Sequence, residues 1–191
     1  MNPSEFRSSF LKTGEPARSN RFDVQFLALP PSEFNINEYR NLRYRCEATE
    51  LPGKTIGTSE YKDYGPIRKI AYGALYNNQN LTFIVSDDMS EKTLFDRWQK
   101  YIVDNTSGSD VKYYDEYVGT IEITQYNRKN RVSKRIQLIE AYPVTMSPMN
   151  LGWDTTNEYH RISIEFAYRY WKDVTPTNTS AIAENLISNL F

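Results

Sequence analysis

Apolar and polar residues alternate along several stretches of this chain with the two-residue period of a β-strand. The first stretch is Phe22-Asp23-Val24-Gln25-Phe26, and the most regular one runs from Arg161 to Trp171. An alternating strand buries one face and exposes the other, so this pattern predicts antiparallel sheets with one solvated face. In the most regular run, the side chains expected on one common, buried face are Ile162, Ile164, Phe166, Tyr168 and Tyr170. Further strands are predicted at Leu81–Val85, Val118–Tyr126 and Val132–Val144, the last two forming a long hairpin.

One segment has the longer period of an amphipathic helix, with apolar side chains at Leu94, Phe95, Trp98, Tyr101 and Ile102. Asp88 and Glu91 precede this face with the spacing of a capping box, which predicts where the helix begins. We expect the apolar face to lie on the sheet. A short amphipathic helix is also predicted in the C-terminal tail, where apolar residues recur at Ile182, Ala183, Leu186, Ile187 and Leu190.

The region between the first strand and the helix contains a loop and a projecting hairpin. The polar stretch from Pro30 to Tyr39 is predicted as a surface loop, followed by an extended run from Leu42 to Ala48. Two short strands, Thr55–Tyr61 and Ile67–Tyr72, then flank a turn that contains a Gly-Pro step. This hairpin has more apolar side chains than a solvated hairpin needs. We therefore expect an arm whose surface something else covers.

Composition restricts the function more than the fold. The 191 residues suit one domain, and 23 Lys plus Arg against 24 Asp plus Glu create no overall field that attracts nucleic acid or an anionic membrane. Cys46 and His160 are the 1 Cys and 1 His, so catalytic triads, Cys-His pairs and metal clusters would all have to share these two residues. We expect no enzyme activity and no cofactor, with Cys46 packed as a small buried hydrophobe.

Neither a long apolar segment nor an apolar signal peptide is present in the sequence. The chain begins Met1-Asn2-Pro3-Ser4-Glu5-Phe6-Arg7, and no later run reaches the length that crosses a bilayer. We expect a protein without a membrane anchor that is made in a cytoplasm.

Local clusters of polar residues have both functional and ordinary explanations. His160 lies near Asp154 and Glu158, a set that suggests a metal site but is also typical of a polar turn, which we favour. The turn of the long hairpin carries a basic cluster that fits a solvated tip better than a phosphate site, namely Arg128, Lys129, Arg131, Lys134 and Arg135. The 15 Tyr residues suit a core and a subunit interface better than a sugar-binding or base-stacking platform.

Short sequence patterns between residues 17 and 171 are each weak alone and informative in their order. They are Ala17-Arg18-Ser19-Asn20-Arg21-Phe22-Asp23-Val24, Cys46-Glu47-Ala48-Thr49-Glu50-Leu51-Pro52, Leu81-Thr82-Phe83 ahead of Phe95-Asp96-Arg97-Trp98-Gln99, Ile123-Thr124-Gln125-Tyr126, Ala141-Tyr142-Pro143-Val144, and Leu151-Gly152-Trp153-Asp154 followed by Asn157-Glu158 and Phe166-Ala167-Tyr168-Arg169-Tyr170-Trp171. In this order they resemble the tail tube (inner tube) protein family of T-even-like contractile-tailed bacteriophages.

The resemblance implies a mainly β (α+β) subunit, an antiparallel sandwich or barrel-like fold with one flanking helix and the C-terminal tail helix. Six copies would close a ring with a continuous inner β-barrel, and the rings would stack into a tube for DNA passage inside a contractile sheath. The implied partners are further copies of the chain, the sheath protein, the baseplate tube-initiator and tail terminator proteins, and the tape measure protein followed by DNA in the lumen. The implied location is the tail of the virion, assembled in the host cytoplasm.

This function would assign roles to particular residues. Phosphate contacts from Lys and Arg dominate affinity for DNA, so a channel that lets DNA slide should have an acidic or neutral wall. Glu122 and Thr124 on the polar side of the long hairpin are the main lumen candidates, followed by Ser163 and Glu165. Interface energy concentrates in a few aromatic and arginine anchors. In the arm we therefore expect contacts to the next ring from Tyr61, Tyr64, Arg68 and Ile70.

The resemblance also sets the expected domain boundaries and the alternative functions. Residues 1–20 are expected to be an extension, 21–171 the tube domain, and 172–191 a linker and helix. The stretch 30–39 and the tail exceed what a minimal tube subunit needs. A baseplate tube initiator and a secretion-system tube subunit therefore stay open as alternatives of the same fold. A carbohydrate-binding β-domain, with aromatic residues exposed on one face, is the alternative from a different class.

Overall fold

The computed structural model describes residues 2–3, 8, 16–30, 36–104, 110–153 and 158–176. Its helices are α1 (Ile36–Leu42), α2 (Ser90–Ile102) and α3 (Tyr114–Tyr117). Its strands are β1 (Phe22–Ala28), β2 (Cys46–Thr49), β3 (Thr55–Tyr61), β4 (Arg68–Leu75), β5 (Gln79–Ile84), β6 (Val103–Asp104), β7 (Asp110–Val111), β8 (Gly119–Tyr126), β9 (Val132–Met146), β10 (Arg161–Ala167) and β11 (Tyr170–Asp173). The mainly β, antiparallel fold is confirmed. The predicted tail helix and most of the 1–20 extension lie outside the described residues.

Strand β9 connects the two parts of the main sheet. The sheet has seven strands in the order β1-β8-β9-β10-β5-β2, with β11 also paired to β9. The first half of β9 pairs with β8 and β11, and the second half pairs with β10, all antiparallel. Glu140 lies between the two halves and has φ 57°. Residues other than glycine seldom adopt this left-handed backbone conformation. Its carboxylate accepts a hydrogen bond from Arg169 at 2.9 Å, which ties the irregular position to the start of β11.

The long hairpin predicted from the sequence is confirmed as β8 and β9. At its tip, the side-chain oxygen of Asn127 accepts hydrogen bonds from the amides of Lys129 at 2.9 Å and Arg131 at 3.0 Å. Asn130 has φ 56°, and asparagine tolerates this left-handed conformation better than most residues. The two asparagines therefore supply the turn chemistry that sets the register of the hairpin.

The core lies where the curled sheet meets α1 and α2. The ring centroid of Phe26 on β1 is 6.5 Å from that of Phe83 on β5 and 6.1 Å from that of Phe166 on β10. Strands distant in the sheet order therefore meet across the core. Trp98 of α2 is fully buried, and its indole N–H donates to the carbonyl of Tyr117 at 3.0 Å. The predicted helical face is confirmed by the burial of Leu94, Phe95, Trp98 and Ile102.

The surface loop predicted from Pro30 to Tyr39 is wrong in part, because α1 begins at Ile36. The helix buries Tyr39 and Leu42 completely, and the Tyr39 hydroxyl donates to a backbone carbonyl of α2 at 3.4 Å. These two apolar residues are three positions apart, which is helical spacing, but polar neighbours hide the pattern. The extended run predicted from Leu42 is accordingly shorter and is confined to β2.

The stretch from Arg161 to Trp171 is two strands rather than one. The residues Ile162, Ile164 and Phe166 are buried as predicted, but Tyr170 is exposed. After Ala167 the chain leaves β10 and pairs with the first half of β9 as β11. In the sequence, apolar and polar residues keep alternating where the chain passes from β10 to β11. The two-residue period alone therefore does not reveal that the buried face changes there.

The predicted capping box at the start of α2 is also wrong. The N-cap residue is Met89, with φ 54° and no side-chain cap hydrogen bond. Glu91 instead accepts hydrogen bonds from the Ser86 amide at 2.8 Å and the Ser86 hydroxyl at 2.6 Å. The Nε atom of Arg45 lies 3.7 Å from the other carboxylate oxygen of Glu91 and forms an ion pair with it. Burial raises the pKa of Glu91, but the Ser86 hydrogen bonds and the charge of Arg45 outweigh burial and leave that pKa below its ordinary value.

Truncating the buried tryptophan is expected to destabilise the fold strongly. Trp98→Ala leaves a large cavity and an unpaired carbonyl, so we expect a loss of about 3–5 kcal/mol in the free energy of unfolding. Trp153→Ala is the matched control, because Trp153 is fully exposed. Urea denaturation followed by circular dichroism measures both variants. Equal stability of the two variants would contradict the position assigned to Trp98.

The Glu91 site predicts a pH-dependent stability difference. Because the pKa of Glu91 is lower in the folded chain, its carboxylate stabilises the fold above the unfolded pKa of about 4.3, and this stabilisation is lost as pH falls through the folded pKa. Glu91→Gln should therefore cost about 1–2 kcal/mol at pH 7, and the difference from the parent should shrink toward pH 3. Urea titrations across that range test this, with the exposed Glu158→Gln as control. A difference that stays constant with pH would rule the account out.

Candidate assembly surfaces

The predicted arm is confirmed as a two-stranded sheet that stands apart from the main one. Strands β3 and β4 pair with each other from Thr55↔Leu75 to Tyr61↔Arg68, and within the described chain neither joins another strand. Every residue of β4 is exposed, and in β3 only Gly57 is buried. The ring of Tyr72 covers this glycine so closely that a Cβ atom would lie 2.7 Å from the ring Cζ.

The arm presents a large apolar surface to solvent. Its exposed large apolar residues are Ile56, Tyr61, Tyr64, Ile67, Ile70, Tyr72 and Leu75. Tyr64 at the turn is 96% exposed, and Arg68 lies opposite Tyr61 across the two strands. A two-stranded hairpin is marginally stable alone in water, and contiguous exposed apolar surface usually marks an interaction site. The four arm residues predicted from the sequence therefore share one uncovered element.

The base of the arm is fixed to the C-terminal end of β10 and to the adjoining strand β11. The indole N–H of Trp171 donates to the carbonyl of Gly53 at 3.0 Å, and the side-chain amide of Asn78 donates to Glu165 at 3.0 Å. The rings of Tyr76 and Tyr168 lie 6.1 Å apart, centroid to centroid. These contacts position the exposed strands while leaving their surfaces uncovered.

The two main lumen candidates lie on the outer face of β8, opposite its buried isoleucines. Glu122 is 7% exposed and Thr124 is 2% exposed in the isolated chain. Glu122 accepts a hydrogen bond from the side-chain amide of Gln137 at 2.8 Å and lies 3.4 Å from the Nε atom of Arg135. The sequence pattern predicts the polar face correctly, but not that neighbouring side chains would cover these two residues and neutralise the carboxylate.

The other two lumen candidates, Ser163 and Glu165, lie elsewhere on the sheet. Both are half-buried on the outer face of β10. Glu165 is opposite Thr145 on β9, whereas Glu122 is opposite Gln137. The two pairs therefore flank different halves of the same strand, and the structure does not bring them together.

The basic cluster at the hairpin tip is smaller than its sequence suggests. Arg128, Lys129 and Arg131 are exposed at the turn. Arg21 donates to the side-chain oxygen of Asn130 at 2.8 Å and to the carbonyl of Arg128 at 3.3 Å, which attaches the segment before β1 to the tip. The other two cations are neutralised, because Lys134 pairs with Asp173 and Arg135 with Glu122. Lys134 and Thr175 hold the pKa of the Asp173 carboxyl far below its ordinary value.

The residues weighed for catalysis or metal binding have structural contacts instead. The backbone carbonyl of His160 accepts from the Val85 amide at 2.9 Å, and burial raises the pKa of the half-buried Cys46 thiol to about 12. Asp154 lies outside the described residues. Among the residues that are described, no group of three His, Cys, Asp or Glu side chains is placed to hold a metal ion. None of the described helices is long and apolar enough to cross a membrane.

The loop after β9 exposes two large apolar side chains that the sequence pattern does not mark as surface. Leu151 is 83% exposed and Trp153 is fully exposed. Hydrophobicity alone would place both residues in a core. The neighbouring Pro148, Asn150 and Gly152, which are typical of irregular backbone, indicate a surface loop in the sequence.

The fold and these surfaces define a class of protein: a strand-rich, antiparallel subunit with large apolar side chains exposed on a projecting hairpin. The particular family follows from comparison with known sequences. Residues 17–174 match the family described as phage tail tube protein, so the chain belongs to that family.

Two curated relatives and two solved structures agree with this assignment. The chain is 22% identical over 162 residues to tail tube protein gp19 of Enterobacteria phage T4, and 23% identical over 181 residues to that of phage T6; each match covers 84% of this chain and 94% of the relative. A chain of the anti-feeding prophage baseplate, in a 6-fold symmetrised structure, has a TM-score of 0.61 at 19% identity, covering 84% of this chain and 97% of its own. The second structure is a chain from the sheath-tube complex of an extracellular contractile injection system. It has a TM-score of 0.59 at 15% identity, and the match covers 92% of this chain and 99% of that one.

At these identities the solved structures show a shared fold, while the sequence family shows the role. The protein is a structural subunit of a phage tail tube and therefore a component of the virion. This assignment confirms the resemblance found in the sequence and leaves the carbohydrate-binding alternative without support.

Proposed function

We propose that six copies of this chain close a ring with a continuous inner β-barrel, and that the rings stack into a tube for DNA passage inside a contractile sheath. The observation that carries the proposal is the uncovered arm of β3 and β4, whose apolar side chains have no partner surface within the described chain. A contact between identical rings repeats without closing, so one projecting element is sufficient to generate a filament.

Open strand edges support ring closure. The main sheet ends at β1 on one side and at β2 on the other, and β11 is a further edge. Exposed edges offer unpaired N–H and C=O groups to other chains and risk open-ended aggregation. A closed ring would pair some of these edges between neighbouring subunits and would give the tube its stiffness through continuous backbone hydrogen bonding.

The outer face of β8 is the surface that we assign to the channel. On β8 and the neighbouring β1 its charges are already paired, since Arg43 lies 2.6 Å from Asp23 and Arg135 lies 3.4 Å from Glu122. Paired cations hold phosphate groups less strongly than free ones, so this part of the wall would let DNA slide. In this arrangement Glu122 acts by neutralising Arg135 rather than by presenting a free negative charge. Ser163 and Glu165 stay secondary lumen candidates.

The partners follow from the same assembly. Relatives of this fold occur in a baseplate, in a tube-terminating cap and in a sheath-tube complex. We assign to this chain an outer contractile sheath, an initiator at the baseplate end and a terminator at the other. The tape measure protein, and then DNA, would occupy the lumen, and the tube would assemble in the host cytoplasm without catalysis or a cofactor.

Removing the arm is expected to separate stacking from folding. Replacing Tyr61 to Ile70 with a short Gly-Ser linker should leave the fold and the ring intact but abolish stacking. Circular dichroism checks the fold, and negative-stain electron microscopy counts rings per particle. A variant with serine at Arg128, Lys129 and Arg131 is the control, and it should stack normally. Long tubes from the linker variant would show that another element joins the rings.

Neutralising Glu122 is expected to make the channel retain DNA. Glu122→Gln leaves Arg135 uncompensated in every subunit, so assembled tubes should bind a short fluorescent DNA more tightly, with stronger weakening by salt. Glu116→Gln on α3 changes the charge equally and serves as control. Fluorescence anisotropy at several salt concentrations measures the difference. Equal retention by both variants would place the outer face of β8 away from the channel.

A further inference from the structure

Strands β1, β8, β9 and β11 form one continuous part of the main sheet, and its two edges are β1 and β11. Within the described chain, β1 pairs only with β8, and β11 pairs only with β9. Phe22 begins β1 opposite Gln125, close to the hairpin tip. Asp173 ends β11 opposite Ile136, on the same side of the sheet. β1 therefore runs away from the tip and β11 runs toward it, so β11 of one subunit can pair antiparallel with β1 of the next.

The chain that follows β11 leaves the sheet beside this seam. The Val174 amide donates to the Arg135 carbonyl at 2.9 Å, and the Thr175 hydroxyl accepts from the Arg135 amide at 2.8 Å. The described chain therefore reaches residue 176 near the hairpin tip. The next residues, 177–191, are called the tail segment here and lie outside the family match, which spans 17–174.

The tail segment is apolar and carries no positive charge. Apolar residues recur in it at helical spacing from Ile182 to Leu190, as described above. It contains no Lys or Arg, and Glu184 is its only acidic side chain. A surface that suits this segment must offer apolar area together with a cation.

A groove of that kind lies between β1 and α1. Its volume is about 430 Å³, and its exposed apolar side chains are Leu27 on β1 and Tyr44 after α1. Two cations also line it. Arg43 is paired with Asp23, whereas Arg40 is exposed and makes no ion pair with any described residue. The groove therefore combines apolar side chains that have no cover with one uncompensated positive charge.

We propose that the tail segment of each subunit docks in the α1–β1 groove of the next subunit in the same ring. The inference rests on the proposed ring, in which β11 and the neighbouring β1 lie side by side. β11 has four residues and β1 has seven, so pairing that begins at the tip leaves residues 26–28 of β1 uncovered, where the groove opens.

The tail segment is long enough to reach this groove. Residues 177–181 extend at most about 18 Å, and adjacent strands lie only about 4.8 Å apart. The segment can therefore cross the seam, turn back and run along α1. Its apolar face, which includes Leu186, packs on Leu27 and Tyr44, and Glu184 at the margin of that face lies against Arg40. Each subunit then holds its neighbour by a strap as well as by strand pairing.

Site-directed crosslinking tests the docking in assembled rings. In a Cys46→Ser background, Asn41→Cys in the groove is combined with Ser188→Cys in the tail segment, which leaves the proposed contacts intact. After treatment with a short bis-maleimide, we expect a ladder on denaturing gels that ends at the hexamer, because a ring of six closes. The matched control replaces Asn41→Cys by Asp115→Cys, which is also exposed but lies on α3, at the end of β8 remote from the tip. The control pair should stay monomeric.

The outcomes separate this inference from the proposed function. If rings form but the Asn41 and Ser188 pair gives no multimers, or if the control pair gives the same ladder, the tail segment does not dock in the groove and the ring still stands. A ladder that continues past six places the contact between rings and overturns the proposal. If the unaltered chain forms no rings, the proposed function fails and the docking fails with it.

A charge exchange tests the same contact without altering Cys46. Arg40→Glu should raise at least tenfold the protein concentration at which rings dissociate on dilution, and adding Glu184→Arg should restore the parent value. Lys129→Glu at the hairpin tip makes the same change of charge and should leave dissociation unchanged. Mass photometry measures the rings, and circular dichroism checks the fold. Equal effects of Arg40→Glu and Lys129→Glu, or no rescue by Glu184→Arg, would overturn the proposal.

Discussion

The pairing of β9 is the interaction on which the rest of the fold depends. This strand is shared by both parts of the main sheet, because its first half pairs with β8 and β11 and its second half with β10. The change of partners at Glu140 lets the sheet curl, so that Phe26 reaches Phe83 and Phe166 across the core. Helix α2 inserts Trp98 and Phe95 into the same space. A fold held by one central strand in this way keeps its outer faces and edges available for other chains.

The surfaces that the fold leaves uncovered support the proposed assembly. Burial of the aromatic core stabilises a single subunit, but the apolar arm, the open strand edges and the exposed Leu151 and Trp153 gain nothing from that core. Apolar area removed from water contributes roughly 25 cal/mol per Å², so covering these surfaces in a polymer is a substantial driving force for assembly. The chain is a tail tube subunit, and we propose that these surfaces meet other subunits in the tube.

Local periodicity predicted the parts of the fold that local forces determine. The long hairpin, the arm and the buried face around Trp98 follow from alternation, turn residues and helical spacing, and the family follows from short ordered patterns. Helix α1 was not predicted, because polar residues separate its buried Tyr39 and Leu42 and hide their helical spacing. The corner before Tyr170 depends on the pairing of β11 with β9, a long-range contact that no short sequence window contains. The unusual cap at Met89 is instead a local departure, because Glu91 accepts its hydrogen bonds from Ser86 rather than completing the predicted capping box with Asp88. Similarly, the polarity of the β8 face could be predicted, whereas the pairing of Glu122 with Arg135 required the neighbouring strand.

A cryo-electron microscopy reconstruction of the purified chain, assembled without other proteins, tests the central claim most directly. The account predicts closed rings of six subunits, with the outer face of β8 on the channel wall and the β3–β4 hairpin of each subunit in contact with the next ring. A reconstruction in which the β8 face points outward, or in which the hairpin contacts only its own ring, would contradict it.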